Sequence, residues 1–118
     1  MRVVATGCRG YPATSTYKVC ATYHEGWRGQ VYQPIIGMGA AAKARRQGNA
    51  LFDRTNRILR FRNAKPLNFS YVEVLGAEAT YGPRSRMEDS REVVAMMTVD
   101  HDEKEGVEVF MKEQISAI

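Results

Sequence analysis

The chain has 118 residues, 44% hydrophobic and 25% charged, with a formal net charge of +4. Those fractions exclude a disordered chain, and the length suits one domain over residues 1–118 with a single core. The longest uncharged stretch, 29–42, holds Pro34 and three glycines (Gly29, Gly37, Gly39), which excludes a membrane span.

The amino-terminal MRVVATGCRG lacks the apolar core of a secretory signal, so a cytoplasmic location is the default expectation. Cys8 and Cys20, with only His24 and His101 beside them, fall short of a zinc site in count and spacing, and no metal is expected. They read as reduced thiols, with a bridge between two strands as the alternative. The pI of about 9.3 favours anionic partners, a nucleic acid or a phosphorylated compound, without establishing one.

In chain order, residues 2–6 make a short strand candidate, followed by a turn-rich loop over 7–15 with Pro12. Tyr17, Val19, Ala21 and Tyr23 alternate with Lys18, Cys20 and Thr22, the period of a half-buried strand. Residues 30–36 form the next strand, joined to it by Glu25-Gly26-Trp27-Arg28-Gly29. Two glycines in so short a connection predict a β-hairpin tip carrying the only tryptophan.

A helix is predicted over 39–62, with Ala44, Gly48, Leu51, Thr55, Ile58 and Leu59 on its buried face. Gly48 costs about 1 kcal/mol of helix propensity against alanine, so its place in that stripe implies close approach to the sheet. Pro66 ends the helical run. Residues 69–81 read as a long strand with Gly76 as a bulge, 82–90 as a polar loop, and 91–99 as a strand apolar on both faces. A final helix places Val107, Phe110, Met111, Gln114 and Ile118 on one face. Asp100, Asp102 and Glu103 precede it as an acidic first turn. The order β-β-β-α-β-β-α predicts an α+β two-layer sandwich, mainly antiparallel, with both helices on one face.

Several groups could carry chemistry. Lys43, Arg45, Arg46, Arg54, Arg57 and Arg60, with Arg62 and Lys65, lie on or just after the long helix, and a solvated face accounts for them. Phe52 and Phe61 are the only aromatics among them, too few for base stacking, so nucleic acid is disfavoured as a partner. His24 at the hairpin tip titrates in the range useful for acid–base work, but a tryptophan beside it fits packing over a sheet edge better. Glu78 on a strand reads as an exposed residue, with a buried functional carboxylate as the alternative. Gly82-Pro83-Arg84-Ser85-Arg86 offers amides, a hydroxyl and two guanidinium groups to a phosphate or carboxylate, outside any P-loop context. Gly37-Met38-Gly39 at the helix start is a second anion cradle of low specificity. These residues point to anion contacts and to no particular reaction.

The order Gly10-x-Pro12, Thr16-Tyr17-Lys18-Val19, Tyr23, Gly26-Trp27-x-Gly29, Gly37 and Ala44-Arg45 resembles the second part of the acyclic terpene utilisation (AtuA) family. Val74-Leu75-Gly76-Ala77-Glu78 through Pro83 is similar to that family's LIGVNSLHGP stretch. The resemblance spans nearly all of the chain, and Lys18-Val19 with Gly26-Trp27-x-Gly29 is its most specific part. It implies one carboxy-terminal domain or small subunit of a larger enzyme that breaks down terpenoid or branched acyl-CoA compounds. In that reading the chain mainly supplies contacts to a partner and to a CoA-type anionic ligand. Lys18, His24, Trp27, Arg28, Glu78, Arg84 and Arg86 are the contact candidates. No cofactor and no catalytic residue is assigned. At Glu78, Ala79 and Tyr81 the family pattern has Asn or Asp, Ser and His, so the resemblance supports no polar site there. The alternative is a non-enzymatic oligomerisation or interaction domain, a homo-oligomer through the second face of the sheet, and after it a small basic nucleic-acid binder.

Overall fold

The computed structural model describes residues 1–117. Strand β1 (Trp27–Ile36) leads through Gly37 and Gly39, both at positive φ, into helix α1 (Ala40–Phe61). Strand β2 (Phe69–Leu75), a 3-10 turn (Ala79–Arg84), strand β3 (Glu92–His101), helix α2 (Lys104–Glu113) and a second 3-10 turn (Gln114–Ala117) follow. The sheet has the order β1-β3-β2, antiparallel throughout. The α+β class and antiparallel sheet with both helices on one face agree with expectation.

The buried stripe of α1 runs Ala40, Ala41, Ala44, Gly48, Leu51, Phe52, Thr55 and Leu59, while the expected Ile58 is half-buried. Gly48 is where the helix meets the sheet: a Cβ there would lie 2.3 Å from Val72 Cγ2. Helix α2 crosses the same face nearby, where a Cβ on Gly29 would lie 2.4 Å from Val107 Cγ1. Between helices and sheet the fully buried Phe110, Leu59 and Met97 form the core, each worth about 1.5–3 kcal/mol of transfer free energy. The register puts Val93, Met97 and Val72 on this covered face. Phe69 and Tyr71 share the opposite, open face with Val94 and Met96.

Several expectations change. The strands expected at 2–6 and 17–23 are not formed, and residues 1–26 run irregular, exposed as far as residue 25. Alternation fits a segment for a sheet without supplying a neighbour; β3 is already flanked on both edges, and the outer strand β1 carries Pro34, which withholds a donor. The Cα radius of gyration is accordingly 20.6 Å, against about 13–14 Å for a compact domain of this length. Without a strand at 17–23 there is no hairpin tip, and Trp27, Arg28 and Gly29 belong to β1 itself.

The predicted strand over 69–81 stops at Leu75, because Gly76 turns to φ +92° and Glu78 to φ +52°. Glu78 is therefore not a strand residue. It stands at the start of the 3-10 turn, and its Oε2 accepts the Arg86 N–H at 2.8 Å. At the other end β3 continues through Asp100 and His101, so the acidic first turn of α2 reduces to Glu105 beside the cap position Glu103. Ile118, expected on the last helix, lies outside the described residues.

Candidate functional site

Gly26 has φ +126°, and a Cβ there would sit 2.7 Å from the His101 carbonyl oxygen. That angle and that approach both require glycine. The chain thereby enters β1 with Trp27 opposite His101 and Arg28 opposite Asp100. On the far side of β3, Phe69 is the other cross-strand neighbour of Asp100. One row across the end of the sheet reads Arg28–Asp100–Phe69.

Arg28 donates from Nε and Nη2 to the two carboxylate oxygens of Asp100, each at 2.6 Å, the bidentate form of a charge-assisted pair. Its guanidinium carbon also stands 5.9 Å from the centre of the Phe69 ring, within cation–π range. These hydrogen bonds from Arg28 outweigh the effect of burial and hold Asp100 below the usual carboxylate range. The same bonds raise Arg28 above its ordinary value. Half-exposed Trp27 meets the His24 ring edge-on at 6.1 Å, and the Lys104 ammonium lies 5.9 Å from a Trp27 ring centre. Tyr23, Glu25, Trp27, Arg28, Phe69 and Asp100, with Gly26 and Asn68, line a cleft of about 610 Å³.

The wall behind the cleft is fixed by His101, which is almost fully buried. Its Nδ1 accepts the Glu103 N–H at 2.9 Å, so Nε2 carries the proton and donates to the Lys65 carbonyl at 3.0 Å. One imidazole thus ties the end of β3 to the start of α2 and to the α1–β2 connection. Asp102 repeats the tie, accepting Lys65 Nζ at 2.8 Å and Asn68 Nδ2 at 2.6 Å. The Lys65 bond is the larger cause of its lowered pKa, and Asn68 adds to it.

Of the residues singled out by sequence, Trp27 and Arg28 line this cleft, and His24 touches it through Trp27. Lys18 lies exposed on the segment before β1. Glu78, Arg84 and Arg86 belong to the loop joining β2 to β3, at the opposite end of the sheet. The ten residues of β3 separate the two groups, roughly 30 Å at strand rise. One ligand of ordinary size does not reach both.

Asp100, Phe69 and Asn68 are cleft residues that sequence reasoning missed. Asp100 lies 72 positions from Arg28, a pairing set by register. The visible signal was the alternation Val94, Met96, Thr98, Asp100, which carries the strand past Val99.

The basic run of α1 is partly matched inside the molecule. Arg45 pairs with Glu88, Arg54 with Glu113, and Arg62 with Glu105. Among the described residues no group of three His, Cys, Asp or Glu side chains could hold a metal ion, and no helix is long and apolar enough to cross a membrane.

The model of the family described as acyclic terpene utilisation family protein AtuA matches residues 1–118, the whole chain. No curated protein and no solved structure matches significantly. The chain, with its Gly26-Trp27 bend at the mouth of the cleft, belongs to the AtuA family, and this ties it to terpene catabolism.

Proposed function

We propose that this chain is a contact domain of an AtuA enzyme in the cytoplasm, and that the Trp27 cleft receives the acyl end of a terpenoid or branched acyl-CoA compound. The observation that carries the reading is the half-exposed Trp27 ring at the mouth of an aromatic cleft. Its volume of about 610 Å³ falls within the range of about 300–1,000 Å³ usual for small-molecule sites. Tyr23, Trp27 and Phe69 offer apolar surface to a branched chain.

The Arg28–Asp100 pair is neutral as a unit and Glu25 adds one negative charge to the lining, which suits an uncharged acyl group better than a phosphate. Lys104, beside Trp27, is the cation positioned toward the anionic part of such a ligand, with Lys18 on the preceding segment. His24 meets only a ring edge and serves packing in this reading. The chemical step belongs to groups outside the cleft.

Calorimetric titration of a branched acyl-CoA into the protein tests the reading. Trp27→Ala is expected to weaken binding by about tenfold, the loss of one buried aromatic contact worth roughly 1.4 kcal/mol. Equal affinity for wild type and Trp27→Ala contradicts it.

A further inference from the structure

The open face of the sheet is a larger feature than the cleft, which occupies only one end of it. Ile36 is 72% exposed, Tyr32 57%, Tyr71 48%, Phe69 45% and Leu75 39%. A wholly covered aromatic side chain accounts for about 150–250 Å². These five residues therefore present on the order of 500 Å² of apolar surface, and Gln30, Pro34, Val94 and Met96 between them bring the face near the roughly 800 Å² that each partner buries in a standard interface. Monomers rarely leave a continuous patch of this size in water.

Three observations narrow what covers it. In the three central rows, from Gln30–Thr98–Tyr71 to Pro34–Val94–Leu75, only Glu73 carries charge, while the end rows hold the Arg28–Asp100 pair beside Phe69 and Glu92 beside Ile36. The centre of the face has nothing to offer a phosphate backbone or a charged membrane surface. Two of its polar side chains are satisfied within the face: Tyr32 Oη donates to Gln30 Oε1 at 2.8 Å, and Gln30 Nε2 donates to Thr98 Oγ1 at 2.9 Å. Covering the face with apolar surface would strand neither group. Finally, Pro34 in the edge strand β1 withholds an N–H, which disfavours growth of the sheet at that edge and leaves stacking as the open route.

We infer that the open face packs against the same face of a second copy of this chain, two three-stranded sheets stacked about a two-fold axis passing near Met96. A two-fold interface sets the central residues against themselves, and Met96 at the middle of the central strand is uncharged and half-buried, as such a position requires. The face shares Phe69 with the cleft, whereas Tyr71 and Met96, the positions tested below, lie outside it. The other available occupant is the chain's own segment 16–24, whose alternating Tyr17, Val19 and Tyr23 are uncovered.

The test is mass in solution by light scattering and sedimentation, at about 10–100 µM. Wild type is expected to run as a dimer, and Tyr71→Lys as a folded monomer with unchanged circular dichroism. A second variant, Met96→Cys with Cys8→Ser and Cys20→Ser, is expected to form a covalent dimer under mild oxidation, which stays readable if Tyr71→Lys unfolds. A monomeric wild type overturns the inference, as does a monomer whose Tyr71 face is shielded until residues 16–24 are removed. So does a dimer that survives Tyr71→Lys while Met96→Cys fails to cross-link.

Discussion

Gly106→Ala in α2 places a methyl group where His101 already stands. The new Cβ would lie 2.3 Å from His101 Cγ and 2.5 Å from Nδ1, where ordinary carbon contacts begin near 3.5 Å. The ring has to move by about an ångström, and it cannot do so while keeping the Glu103 N–H at 2.9 Å and the Lys65 carbonyl at 3.0 Å. Each buried group left without its partner costs about 1–3 kcal/mol. Helix propensity acts the other way, with alanine better than glycine by up to about 1 kcal/mol. The net expectation is a loss of about 2–4 kcal/mol, or roughly 10–15 °C in melting temperature for a chain of this size.

Urea unfolding followed by circular dichroism reads this directly, and a double-mutant cycle isolates the cause. Once His101→Ala has removed the ring, Gly106→Ala should become neutral or stabilising. A Gly106→Ala protein as stable as wild type, or an equal loss in the His101→Ala background, would refute the packing described for His101.

Three further outcomes follow from other contacts. Gly48→Ala should destabilise by about 1–2 kcal/mol despite its better helix propensity, because its Cβ would meet Val72 Cγ2 at 2.3 Å. Val72→Ala should reverse that sign in denaturant unfolding. Asp100, Asp102 and Glu88 each have a pKa lowered by a hydrogen bond from a basic side chain. Their stabilising effect is thus complete above the unfolded carboxylate value of about 4 and is lost as pH falls through the lowered folded values. Asp100→Asn should flatten the acid limb of a stability-versus-pH curve, and an unaltered limb would count against the Arg28 pair. Glu78→Gln keeps an acceptor for the Arg86 N–H, whereas Glu78→Ala removes it. Amide exchange at Arg86 should accelerate only in the alanine variant.

The sequence showed some of these features and hid others for physical reasons. Helix α1 was legible because its stripe of small and apolar residues repeats over 22 positions, and Gly48 marked its contact with the sheet. The segment 17–23 has the period of a strand, but pairing depends on a neighbour, and neither free edge of the sheet takes it. The end of β2 was hidden because Glu78 adopts a left-handed conformation that side chains other than glycine rarely take. Trp27 and Arg28 were visible from local composition. Their partners Asp100 and Phe69 come from strands far along the chain, and only the register brings them together. His101 offered no pattern at all, since its role rests on two backbone groups supplied by other segments.

The most direct measurement of the proposed function uses the single tryptophan as its own reporter. Titrating a branched acyl-CoA, free coenzyme A and the corresponding branched acid against Trp27 emission separates acyl from phosphate recognition. If the cleft takes the acyl group, the thioester shifts Trp27 emission to shorter wavelength with saturation, and free coenzyme A leaves it unchanged. Emission that stays constant with the thioester, while calorimetry records binding, would place the ligand elsewhere and contradict the assignment of the Trp27 cleft.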